Sequence, residues 1–85
     1  MPENHKPLKV LICSRNKVFF NGEAFSVSSK NEKGAFDILP QHAQFVTLLL
    51  GDVILDKGLP TETAFKIDRG VLNILGSKVD VYIGV

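Results

Sequence analysis

Apolar residues in this chain recur at every second position in short runs, and no stretch sustains a 3.6-residue repeat. Side chains at i and i+2 share a face of an extended strand, whereas a helix needs i, i+3 and i+4. Val79, Val81 and Ile83 alternate with Asp80 and Tyr82, Phe25 and Val27 with Ala24, Ser26 and Ser28, and Phe65 and Ile67 with Lys66 and Asp68. Each run is rich in β-branched or aromatic residues and bounded by turn formers. The turns are read at Ser14 to Lys17, Asn21-Gly22, Lys30 to Gly34, Lys57 to Pro60, Arg69-Gly70 and Gly76-Ser77. Short strands at this spacing predict an all-β fold, a two-sheet sandwich or flattened barrel of about eight to ten strands.

The segment from His42 to Leu50 is apolar nearly throughout and fits either a buried strand or a short helix; Pro40 before it and Gly51 after it favour the strand. The chain reads as one domain over residues 1–85, with residues 1–6 expected to be a mobile tail. A chain of 85 residues buries roughly 60–65% of its unfolded surface, enough for one core. Hydrophobic residues are 45% and charged residues 22%, which argues against disorder.

Composition also excludes function classes. Ten basic against nine acidic residues leave a formal charge of +1, too little basic surface for nucleic acid to be the expected partner. No apolar run approaches the ~18 residues of a membrane span, so direct membrane insertion is not expected. Cys13 is the single cysteine and reads as buried filler in a reducing compartment. The acidic residues Asp52, Asp56, Glu62, Asp68 and Asp80 fall at strand edges and turns, where solvation accounts for them. No pair is placed for acid–base work, no phosphate-cradling glycine loop occurs, and no Cys/His set has metal-ligand spacing. No catalytic residue, metal ligand or cofactor is therefore expected.

The most distinctive segment is Gly34-Ala35-Phe36-Asp37-Ile38-Leu39-Pro40-Gln41-His42-Ala43-Gln44-Phe45-Val46-Thr47. Proline fixes its own backbone and pushes Leu39 towards an extended conformation. Phe36 to Leu39 should thus run as a strand that ends sharply, leaving Gln41 and His42 at an exposed corner. Gly34 supplies the positive φ needed to enter it. His42 reads as an ordinary loop histidine, as a contact at a protein interface, or, least of all, as a ligand or base.

This segment, G-x-F-x-I-L-P-x-H-A-x-x-V-T, resembles the signature loop of the epsilon subunit of F-type ATP synthases. The resemblance continues outside the loop. Val18 to Val27 looks like the family's early stretch, Gly51 falls where a glycine opens the next strand, Gly70-Val71-Leu72-Asn73-Ile74 resembles its G-x-L-x-V strand, and Lys78 to Val81 its closing K-V-x-V. Together these cover roughly residues 8 to 83. Ala35, Asp37 and Gln44 depart from the pattern.

The resemblance implies the N-terminal β-sandwich domain of that subunit. It would be a non-catalytic part of the central stalk that binds the gamma subunit and the membrane rotor ring and so couples proton transport to ATP synthesis. Leu39, Pro40, Gln41 and His42 would be the ring contacts. Phe19 or Phe20, whichever points outward, would be the anchor for gamma, and Gly34, Gly51 and Gly70 the structural turn positions. The implied location is cytoplasmic, peripheral on the inner face of the energy-transducing membrane. Family members commonly continue into two helices, some of which bind ATP; the chain given ends at Val85, so neither helical inhibition nor a nucleotide site is expected. Ile67-Asp68-Arg69 is then a chance echo of the nucleotide motif. A reading from another class is a divergent, free-standing protein-binding module outside any synthase, motivated by the same departures. A small hydrolase would need a nucleophile beside a base, and the sequence offers neither.

Overall fold

The computed structural model describes residues 6–40 and 44–84. Among these residues nine strands follow one another: β1 Leu8–Cys13, β2 Val18–Ala24, β3 Val27–Asn31, β4 Gly34–Ile38, β5 Gln44–Leu49, β6 Val53–Leu55, β7 Thr63–Phe65, β8 Gly70–Leu75 and β9 Lys78–Ile83. There is no helix among the described residues. The strands form a five-stranded sheet in the order β2-β1-β9-β8-β5 and a four-stranded sheet in the order β4-β3-β6-β7. All pairings are antiparallel except β1 with β9, which is parallel.

The core follows from the alternation. Val10 and Ile12 of β1, Leu72 and Ile74 of β8, and Val79 and Val81 of β9 point into the sandwich. There they meet Val27, Val53 and Leu55 from the four-stranded sheet. A fully buried Leu, Ile or Val contributes about 1.5–3 kcal/mol relative to exposure. With few interior residues in so small a domain, each one matters.

Two aromatic pairs close the open sides of the sandwich. Phe20 of β2 meets Phe65 of β7 edge-to-face at 5.8 Å, and Phe36 of β4 meets Phe45 of β5 edge-to-face at 6.0 Å. Each pair joins the edge strand of one sheet to the edge strand of the other. On the β5 side the backbone adds Leu50 N–H donating to the Lys30 carbonyl at 2.9 Å.

The structure corrects four local expectations. Asn21-Gly22 is no turn; both residues lie in β2, paired with Leu11 and Val10. The Phe20 ring lies over the Gly22 Cα, where a Cβ would come within 3.1 Å of it, so this glycine makes room for an aromatic ring. Ala24, Phe25 and Val27 do not belong to one strand: the chain turns between β2 and β3, so Ala24 and Val27 are buried while Phe25 is exposed. Strand β7 stops at Phe65, and Ile67 reaches the core from the following loop, its N–H donating to Asp52 Oδ1 at 3.2 Å. Cys13 is half-buried on the outside of its sheet, one residue past the inward-facing Ile12. The strand expected within His42 to Leu50 is present as β5.

Candidate protein-binding surface

Cross-strand register converts the outward residues of the five-stranded sheet into rows. The first runs Leu48, Val71, Tyr82, Cys13, Val18 across β5, β8, β9, β1 and β2. The second runs Val46, Asn73, Asp80, Leu11, Asn21, and the third Gln44, Leu75, Lys78, Lys9, Glu23. The face is therefore graded along the strands: apolar at one end, mixed in the middle, charged at the other. Leu48 is 64% and Val46 66% exposed, and Val18 and Tyr82 are also open to solvent.

The opposite outer face is built differently. Its central row is Asp37, Ser28, Ile54, Ala64, flanked by Ala35 and Lys30. The Ser28 hydroxyl donates to Asp37, so small and polar groups already satisfy one another there. An exposed apolar row on one face, against mostly small residues and a satisfied Ser28–Asp37 pair on the other, marks the five-stranded sheet as the side that gains from being covered.

The residues singled out in the sequence fall at separate places. Phe19 points outward beside a register shift where β1 meets β2, with Lys17 Nζ 5.2 Å from its ring centroid. Phe20 points inward against the core and Phe65; of the two, Phe19 is the one at the surface. Leu39 and Pro40 follow β4 on the other sheet, Leu39 exposed and Pro40 half-buried. Gln41 and His42 lie outside the described residues. Gly34 opens β4 at φ 120°, a conformation that L side chains rarely adopt. Gly70 opens β8 so close to its neighbour that a Cβ would lie 2.6 Å from the Tyr82 carbonyl oxygen. Gly51 sits in the bend before β6, against the Lys30 side chain.

Besides the exposed Asp52, which accepts from the Ile67 amide, and Glu62, which accepts from the Gly58 amide, two less exposed carboxylates behave otherwise than solvated turn residues. Asp56 is buried, with φ 55°. Its Oδ1 accepts from the Phe25 and Ser26 amides, its Oδ2 from the Thr61 hydroxyl at 2.7 Å, and its own N–H donates to the Ser26 carbonyl. It thereby ties the β2–β3 corner to the β6–β7 connection. Burial pushes its pKa up, but the Thr61 hydroxyl and the two amides outweigh that and hold it below the usual carboxylate value. It lines an open cavity of about 490 Å³ with Phe20, Phe25 and Glu23, yet with both oxygens engaged it is a latch rather than a base. Asp80 stands mid-sheet in the second row, and its Oδ1 is shielded from solvent without a hydrogen-bond partner. Neither role had a local signal, since each depends on which strand lies alongside. Among the described residues, no group of three or more His, Cys, Asp or Glu could hold a metal. Nor, among the described residues, is any helix long and apolar enough to cross a membrane.

The chain is thus a two-sheet β-sandwich with an exposed apolar row along one end of its five-stranded face. Residues 7–84 match the family model of the ATP synthase Delta/Epsilon chain, beta-sandwich domain, and the chain belongs to that family. It is 36% identical over 77 residues to the ATP synthase epsilon chain of Sulfurimonas denitrificans, covering 89% of this chain and 59% of the relative. It is 32% identical over 72 residues to that of Clostridium novyi, covering 81% and 53%. It thus spans little more than half of these curated relatives. Against the epsilon chain of Chlorobium limicola it is 33% identical over 79 residues, covering 92% of this chain and 90% of the relative. The fold is also similar to a chain in the Euglena gracilis mitochondrial ATP synthase OSCP/F1/c-ring structure, with a TM-score of 0.80 at 12% identity over 91% of this chain and 50% of that one. A chain of the Tetrahymena thermophila mitochondrial ATP synthase central stalk and c-ring gives a TM-score of 0.73 at 11% identity, over 98% and 67%.

Proposed function

We propose that this chain is a central-stalk subunit of an F-type ATP synthase. It binds the gamma subunit and the membrane rotor ring and helps couple proton transport to ATP synthesis, performing no chemistry itself. It works on the inner, cytoplasmic side of the energy-transducing membrane as a peripheral part of the complex. The observation that carries this reading is the family match across nearly the whole domain. The physical reading agrees with it: a subunit that transmits torque needs broad packed contacts rather than a few polar ones, and the five-stranded sheet offers such an area. Phe19, exposed at the β1–β2 bulge, is the candidate anchor for gamma. Leu39 and Pro40, with Gln41 and His42 beyond them, are the candidate ring contacts.

Calorimetry with the cognate gamma subunit tests the first contact. Saturable one-to-one binding is expected; its absence overturns the reading. Disulfide trapping between a cysteine at Leu39 and one in the polar loop of the ring subunit, in assembled complexes, tests the second.

A further inference from the structure

Asp80 is out of keeping with its surroundings. It occupies the centre of the outer face of the five-stranded sheet, between Asn73 of β8 and Leu11 of β1. The apolar row Leu48, Val71, Tyr82, Cys13, Val18 lies directly alongside, and Tyr82 follows it on the same strand and the same face. Lys78, two residues back on that face, and Lys9 diagonally opposite give its Oδ1 no hydrogen bond. It is the one buried side-chain oxygen or nitrogen without a partner among the described residues.

With one oxygen shielded, a half-buried carboxylate on an open face is tolerable while water reaches the rest of the group. It becomes costly once the face is covered, because a buried charge without a donor loses its hydration and gains nothing. Any partner that packs on the apolar row must also cover the neighbouring second row, hence Asp80. Only a partner that brings a donor there can bind without that cost, and a positive donor matches a carboxylate best.

The geometry points to Asp80 as a specificity-determining residue of the outer face. It takes an arginine or lysine side chain from a partner segment whose apolar residues pack on Leu48, Val71 and Tyr82. The apolar row supplies contact area, and the carboxylate selects among apolar partners by penalising those that arrive without a cation. The inference rests on the stalk reading for the identity of the partner, the gamma subunit, and adds which face is used and what chemistry the partner must present.

The test is calorimetric affinity of the full chain for the cognate gamma subunit, wild type against Asp80→Asn and Asp80→Thr. Both replacements suit a strand surface or preserve shape, and melting curves verify folding. Loss of the charge should weaken binding at least about tenfold, chiefly through faster dissociation. Lys30→Glu on the opposite face should leave affinity within about twofold of wild type, as for a residue away from the contact. If wild type binds and both Asp80 variants bind within about twofold of it, the inference is overturned while the stalk reading stands. If Lys30→Glu weakens binding as much as the Asp80 variants do, the assignment of the face is overturned. If wild type itself does not bind, the stalk reading falls and takes the inference with it.

Discussion

At the residue scale, stability rests on a few side chains whose work is not hydrophobic. Asp56 satisfies two backbone amides and one hydroxyl with a single carboxylate. Asp56→Ala strands the Phe25 and Ser26 amides near the core and should cost about 3 kcal/mol in urea denaturation. The pH dependence has a definite sign. The folded pKa is depressed, so the contribution is complete above the unfolded value of about 3.9 and is lost as pH falls through the folded value. Between about pH 5 and pH 2 the melting temperature of the wild type should therefore fall more steeply than that of Asp56→Asn; parallel curves would assign the latch no electrostatic role. Gly70 is limited by space instead. With the Tyr82 carbonyl oxygen 2.6 Å from the Cβ position, Gly70→Ala must part β8 from β9 and should cost about 2 kcal/mol by thermal melting.

At the scale of elements, the two sheets are held by their shared core and by the aromatic pairs at their two open sides. Phe20 with Phe65 closes one side and Phe36 with Phe45 the other. Such a pair adds about 0.5–1.5 kcal/mol beyond the area it buries. Phe36 and Phe65 are half-buried, so each change to alanine should cost about 2 kcal/mol, less than for a fully buried ring. Because the pairs sit on opposite sides, the double variant should show the sum of the two losses to within about 0.5 kcal/mol. In hydrogen exchange, Phe36→Ala should release β4 and β5 amides and leave β2 and β7 protected; uniform loss would mean that the sandwich opens only as a whole.

At the scale of the molecule, the two outer faces divide the labour. The four-stranded face pairs Ser28 with Asp37 in its central row, whereas the five-stranded face leaves Leu48, Val46 and Tyr82 in water. A double change, Leu48→Lys with Tyr82→Lys, alters only side chains open to solvent and should leave stability within about 1 kcal/mol of wild type. It should also abolish gamma binding in calorimetry; retained gamma binding would place the contact elsewhere. The graded face also makes orientation testable, because the apolar and charged rows lie at opposite ends of the same strands.

The sequence alone conveys the class of fold, the strands around Val79 to Ile83 and Phe36 to Ile38, and the glycine entry at Gly34. These are local matters: a two-residue repeat, a proline and a positive φ act within a few residues of themselves. It misread Asn21-Gly22 as a turn because the reason for that glycine is the Phe20 ring lying over it, and composition does not report ring orientation. It treated Asp56 and Asp80 alike, as solvated acids. Only the tertiary structure set one against the Phe25 and Ser26 amides and left the other unpaired in the middle of a sheet. The apolar row was equally hidden, since Leu48, Val71, Tyr82, Cys13 and Val18 come from five strands and become neighbours only through register. Strand pairing is long-range, so which outward residues form one surface is decided by topology and not by any stretch of chain.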